Sequence, residues 1–161
     1  MWIIKGGDTA FNLSNAFCID IVPHCLTDNL IIKGTFYRDD TVIEDFIISA
    51  VDKADAEKEL ARIVAELEKE NSKRGFKNKS WEIDRTAAVN RSERSGNYKM
   101  LVQPFYYLDT VDKYLKIMYW QVMATQLDGT NTIIQTFDNR DDAERYLKNL
   151  VDELNGDDLN D

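Results

Sequence analysis

His24 is the chain's single histidine; it stands beside Cys25 and six residues after Cys18. A thiol and an imidazole are the raw material of a nucleophilic pair or a soft-metal site. Neighbouring residues of an extended chain point to opposite sides, so His24 and Cys25 are badly placed to share a proton. Two thiols and one imidazole also fall short of the four ligands of a closed zinc site. Pro23-His24-Cys25 reads instead as the turn between two strands. With only 2 cysteines, no disulfide scaffold is expected, and both are read as reduced thiols.

Carboxylates come in pairs at Asp39/Asp40, Asp141/Asp142 and Asp157/Asp158. Paired carboxylates can hold Mg²⁺ or move protons. These fall in a hairpin turn, a helix start and a tail, where acidic residues have ordinary structural roles. Gly6-Gly7-Asp8 is a turn that lacks the further Gly and Lys of a phosphate loop. Asn-x-Ser occurs at Asn12, Asn78 and Asn90, and it carries no meaning without a secretion signal. Neither a catalytic constellation, a metal-ligand set nor a cofactor motif emerges, and the chain is read as non-enzymatic.

The strongest chemical contrast is one of charge. The 161 residues carry a net charge of −9. Residues 71–99 hold 8 basic side chains against 3 acidic, a net +5 that leaves −14 elsewhere. Lys73, Arg74, Lys77, Lys79, Arg85, Arg91 and Arg94 interleave there with Phe76 and Trp81, a candidate contact for nucleic acid or a partner protein because aromatics stack on bases. The segment lacks periodicity and any known basic-aromatic signature, and it reads first as an exposed linker or loop with one short ordered piece around Trp81-Glu82-Ile83. The acidic remainder repels nucleic acid, which restricts such binding to 71–99.

These groups must be positioned by a scaffold, and the sequence repeats one. DAEKELARIVAEL begins at Asp55 and DAERYLKNLVDEL at Asp142, an offset of 87. Ala56, Leu60, Ile63, Val64 and Leu67 match Ala143, Leu147, Leu150, Val151 and Leu154, and both sets follow the spacing of one buried helix stripe. Asp52 and Asn139 are good N-caps. The match continues upstream. Phe46 and Ile47 meet Ile133 and Ile134, and turn signals lie before each strand, Asp128-Gly129 being a strong hairpin signal.

The expected fold is therefore α+β: two related units, each an antiparallel sheet of about four strands closed by one amphipathic C-terminal helix. The first unit spans 1–70, with strands at 2–5, 16–22, 30–37 and 42–49 and a helix at 53–69. A basic linker or loop covers 71–99. The second unit spans 100–154, with strands at 100–105, 113–119, 120–126 and 132–137 and a helix at 140–154. An acidic, frayed tail covers 155–161. Leu108, Val111, Leu115, Met118 and Val122 also fit a helical stripe, so a helix over 109–123 is the rival reading, and 113–126 can equally be one long bent strand. Trp2, Tyr114, Tyr119 and Trp120 fall at expected strand positions; they are core or inter-copy packing, or a protein-binding patch if exposed.

Asn12, Leu13, Asn15, Ile19 and Ile21, followed by a hairpin and a helix opening Asp55-Ala56-Glu57 with Leu60, resemble a pattern in small uncharacterised hairpin-and-helix proteins of Gram-positive bacteria and their phages or mobile elements. The resemblance covers 1–70 and, more loosely, 100–154, where Tyr107 and Thr110 depart from it. It implies a phage or mobile-element product and brings no activity with it.

No stretch reaches the roughly 18–20 uncharged apolar residues of a membrane span, and the N-terminus lacks the layout of a signal peptide. The expectation is a cytoplasmic, non-catalytic protein that binds another protein or assembles with itself, without membrane or cofactor. Two alternatives stand beside it. One is an acidic inhibitor that imitates nucleic acid through Glu57, Glu59, Glu66, Glu68, Glu144, Asp152 and Glu153. The other is direct nucleic-acid binding through 71–99.

Overall fold

A computed structural model describes residues 1–73, 81–91 and 96–156, with the side chains of 49–51 excepted. In chain order the elements are β1 (Trp2–Lys5), β2 (Thr9–Asn12), a 3-10 turn at Leu13–Asn15, β3 (Cys18–Pro23), β4 (Leu30–Arg38), β5 (Thr41–Val51) and α1 (Lys53–Lys73). Then follow β6 (Trp81–Ile83), β7 (Ala87–Asn90), β8 (Asn97–Leu108), β9 (Leu115–Gln126), β10 (Asn131–Phe137) and α2 (Arg140–Gly156). The architecture is α+β, with two antiparallel sheets of five strands and two helices. No helix is long and apolar enough to cross a membrane among the described residues.

The chain divides into two compact units, one of Met1 with residues 13–96 and one of 2–12 with 97–161. In the first, β3, β4 and β5 form a meander, and β7 pairs with the free side of β3, giving the order β5-β4-β3-β7-β6. Helix α1 lies on this sheet. Its expected stripe of Ala56, Leu60, Ile63, Val64 and Leu67 is buried, with Ile19, Ile32, Phe36 and Phe46 of the strands also in the core.

In the second unit, β8, β9 and β10 form the meander, and β2 pairs with the free side of β8, giving β1-β2-β8-β9-β10. Helix α2 covers one face. Ala143, Leu147 and Val151 pack with Ala10, Met100, Val102, Val122 and Ala124, and Trp2, Ile4 and Trp120 flank that cluster. The start of α2 is a reciprocal cap. The Asp142 backbone N–H donates to Asn139 Oδ1 at 2.9 Å, and Asn139 Nδ2 donates to Asp142 Oδ2 at 3.0 Å. This satisfies one of the orphan N–H groups of a helix start.

The registers of the two sheets run in step. Trp2 faces Asn12 and Ile4 faces Ala10 across β1–β2; Trp81 faces Asn90 and Ile83 faces Ala88 across β6–β7. Ala10 then faces Met100, and Ala88 faces Ile19. A register shift occurs on β5 between Ser49 and Ile47, and one on β10 between Ile133 and Gln135. Each leaves one isoleucine, Ile48 or Ile134, as the extra residue of a bulge.

Several sequence expectations need correction. The stretch 71–99 is no simple linker: β6, β7 and the start of β8 lie in it, and Trp81 and Ala88 are buried in the first unit. The ordered piece expected at Trp81-Glu82-Ile83 is β6, while β7, with 4 residues, is too short for alternation to announce it. The strand Trp2–Lys5 belongs to the second unit, although a first unit of 1–70 would include it. Its backbone is fastened to α2: the Trp2 N–H donates to Asn155 Oδ1, and Asn155 Nδ2 donates to the Trp2 carbonyl, each at 2.8 Å. Asn155 is thus part of the helix and not of a frayed tail; residues 157–161 lie outside the described set.

The stretch 109–123 is not a helix. Residues 115–126 form a single strand, the long bent strand that stood as the alternative to two, paired with β8 along its length and shifted in register opposite Phe105 and Tyr106. The shift leaves Met118 as the bulged residue, and cross-strand pairing overrides the helical spacing.

Trp81→Ala tests the strand reading of the middle segment. At 4% exposure, loss of this side chain costs about 3 kcal/mol, read as a lower urea midpoint at constant m-value. A cost under about 0.5 kcal/mol, the usual surface range, would return Trp81 to a linker.

Candidate functional site

The basic segment does not present a stacking platform among its described residues. Trp81 and Tyr98 are buried, so neither offers a free ring face to a base. Arg91 pairs with Glu82 at 2.7 Å, and Arg85, in the β6–β7 turn, lies 3.6 Å from Glu57. Lys73 ends α1. Arg74, Phe76, Lys77, Lys79 and Arg94 lie outside the described residues.

The carboxylates considered as phosphate mimics are largely engaged in structure. Glu59 pairs with Arg62, Glu57 with Arg85, Glu144 with Arg140 and Asp152 with Lys148. Glu68 accepts the backbone N–H of Trp81 and so ties α1 to β6. Pairs of this exposed kind contribute little stability, but they neutralise the charge that a mimic would need to present. Arg62 holds the Glu59 carboxyl below its usual range through their hydrogen bond.

The thiols and the imidazole are separated. His24 and Cys25 sit in the loop between β3 and β4 as expected, and the Leu26 N–H donates to His24 Nδ1 at 3.1 Å. Cys18 stands on β3 opposite Thr35 of β4. Burial and then the neighbouring Asp20 raise its thiol pKa, the reverse of the shift that activates a nucleophile. On the same sheet face Asp20 stands opposite Lys33. Burial raises the Asp20 carboxyl above its ordinary value against the pull of Lys33, and its Oδ1 is buried without a hydrogen-bond partner. No group of three or more His, Cys, Asp or Glu side chains is placed to hold a metal ion among the described residues.

The feature that stands apart is the far end of the β8–β9 hairpin. Strand β2 pairs with β8 only at 99–101, and β10 pairs with β9 only at 120–125. Beyond them, residues 105–108 and 115–119 continue as a two-stranded ribbon that, among the described residues, pairs only with itself. Isolated ribbons are marginal in water, so this one needs its own fastenings. Phe105 and Tyr119 stack at its base, with centroids 4.9 Å apart and planes 4° from parallel. At the tip, Asp109 Oδ1 accepts the N–H groups of Val111 and Asp112 at 2.9 and 3.2 Å. Lys116 Nζ reaches Asp109 at 2.8 Å and Asp112 at 2.6 Å. Lys113 adopts a φ of 61°, which closes the turn. The Lys116 hydrogen bond, then the two backbone N–H groups, hold the Asp109 carboxyl below its usual range.

This fastened ribbon is apolar on the outside. Even-numbered residues of β8 share a face, so Tyr106 and Leu108 continue the row of Met100 and Val102 that α2 covers. Ile117 stands opposite Tyr106, and Leu115 opposite Leu108. All four are exposed, Leu108 at 60% and Leu115 at 69%. Phe105, Tyr107, Met118, Tyr114 and Val111 are exposed around them, Val111 at 86%. Taking ~150–200 Å² for a fully exposed side chain of this size, the nine present on the order of 900 Å² over both faces and the turn; the face of Tyr106, Leu108, Leu115 and Ile117 carries roughly 400 Å² of it, the size of the largest and often functional apolar patch of a monomer. Of the four aromatics singled out in the sequence, Trp2 and Trp120 serve the core and Tyr114 and Tyr119 serve the ribbon. Sequence reading missed the ribbon itself, although PFYYL followed by YLKIMYW around a short Asp/Lys turn was its signal.

Comparison with protein-family models, curated proteins and solved structures returned no match.

Asp20→Asn should stabilise the fold at neutral pH. A raised carboxyl pKa means that ionisation opposes folding, and the penalty grows as pH rises through the folded-state value. The variant's melting temperature should exceed that of the native chain at pH 7 and converge with it below the ordinary value of 3.8. A variant less stable at pH 7 would instead make the Asp20–Lys33 attraction dominant.

Proposed function

We propose that this chain is a non-catalytic protein-binding protein, and that the β8–β9 ribbon is its docking element. The observation that carries the reading is the exposed, internally fastened apolar ribbon. A large apolar patch on a rigid support marks an interaction surface. Tyrosine and other aromatics supply contact area at low entropic cost, and the locked turn lowers the ordering cost of binding. The phage or mobile-element setting rests on the sequence resemblance alone.

The two units further read as copies of one hairpin–meander–helix module with their hairpins exchanged. The order hairpin, three strands, helix occurs twice along the chain, and each hairpin completes the sheet of the other repeat. Trp2, Ile4, Ala10 and Asn12 correspond to Trp81, Ile83, Ala88 and Asn90, and the registers correspond as well. On that alignment Pro23 opposite Leu30 corresponds to Pro104 opposite Trp120. The first unit turns back there through the loop 24–29; the second continues into the ribbon. The docking element is then an extension carried by one copy, in keeping with function grafted onto a scaffold.

The nucleic-acid-mimic reading is less favoured, because most of the carboxylates it needs are paired. A photoreactive residue at Tyr114 tests the proposal in cells that carry the chain. Cross-links to protein are expected from that position and not from Leu26, which is 85% exposed on the corresponding loop of the first unit. Equal cross-linking at both positions would remove the ribbon's special role.

A further inference from the structure

We infer that the ribbon's occupant is a second copy of this chain, bound in antiparallel fashion through the strip of Tyr106, Leu108, Leu115 and Ile117. This rests on the ribbon being a docking element and names its partner. Three observations select the second copy.

The first is charge. A two-fold contact sets a patch against itself, so any net charge on the patch meets like charge. The strip has none, and the ribbon around it balances Asp109 and Asp112 with Lys113 and Lys116. It is a neutral element on a chain of net charge −9.

The second is reach. Four strand residues extend the ribbon roughly 13 Å past the neighbouring strands. The strands of the sheet that carries it hold Lys5, Lys99 and Lys116 and no carboxylate, so two ribbons overlapped in antiparallel fashion set no strand carboxylates of this sheet against each other.

The third is area. The four side chains of the strip expose on the order of 400 Å², about half the ~800 Å² per partner of a standard interface, which is the size of a weak dimer contact. The outer edge of β9 over 115–119 has no neighbouring strand among the described residues. Long exposed apolar edges invite pairing with another chain. A second copy buries the strip and restricts access to that edge.

The test is sedimentation of the full chain from about 1 to about 200 µM, a range that spans weak dimers, at about 50 and about 500 mM NaCl. A monomer–dimer equilibrium is expected that tightens with salt, because salt screens the bodies and spares the apolar strips. Leu108→Asp with Leu115→Asp should weaken it at least about 10-fold with an unchanged circular-dichroism spectrum. If that pair fails to fold, Tyr114→Asp, in the exposed turn, is the second variant. A chain that stays monomeric throughout, or a dimer indifferent to all three substitutions, would overturn the inference. A monomer whose position 114 still cross-links a different protein keeps the docking reading and removes only the second copy; a monomer inert at 114 removes both.

Discussion

Ala10 opposite Met100 and Ala88 opposite Ile19 are the pairings on which both sheets depend. Each joins a hairpin to the first strand of a meander, and each places a fully buried alanine in the sheet. A small side chain beside a large one leaves room for an interdigitated core at native density. Without its hairpin a meander would have a bare inner edge. Helix α2 would also lose Trp2 and Ile4 from the border of its cluster, and α1 would lose Trp81, whose backbone N–H it holds through Glu68. A unit of three strands and one helix is small for independent stability; five strands supply more apolar area under the same helix. Both hairpins have distant partners in the chain, a source of slow folding since long loops must close before the contacts form.

Much of this scaffold was legible in the sequence, because its long elements carry period and punctuation. The stripes of both helices were readable from 3.6-residue spacing. The strands 30–37 and 132–137 were readable from their β-branched and aromatic content, and the turn at Asp128-Gly129 from its dipeptide. Gly129 does adopt a φ of 90° there. The partners of the strands were not legible. Nothing local distinguishes a β1 that pairs beside the meander next to it in the chain from one that pairs beside the distant meander, since β1 and β6 offer nearly the same Trp-x-Ile face. The repeat Trp2-x-Ile4 and Trp81-x-Ile83, followed by Ala10-Phe11-Asn12 and Ala88-Val89-Asn90, was present to be read. It was hidden because its offset of 78–79 differs from the 87 of the helices.

The candidate site was legible only in composition. Apolar spacing over 108–122 permits helix and strand alike, and burial decides neither, since Leu108, Val111, Leu115 and Met118 are exposed and only Val122 of that set is buried. Pairing with β8 decides it, and pairing is a tertiary property. Conversely, the basic middle drew attention by charge, yet its described aromatics are structural. Exposed apolar surface on a fastened turn is the better sign of function here than concentrated charge, because charge on a surface is cheap to solvate while an uncovered apolar ribbon is not. The same reasoning sets aside Cys18 and Asp20: their shifted pKa values follow from burial on a sheet face, without a nucleophile–base geometry beside them.

The ribbon's role as a contact surface is tested most directly by hydrogen exchange of the full chain at low and high concentration. Binding of a second copy predicts that amides of 105–119, and of 115–119 above all, exchange more slowly as concentration rises, while those of α1 and α2 keep their rates. Unchanged exchange across the ribbon, with slowing confined to the helices or to β5, would contradict it.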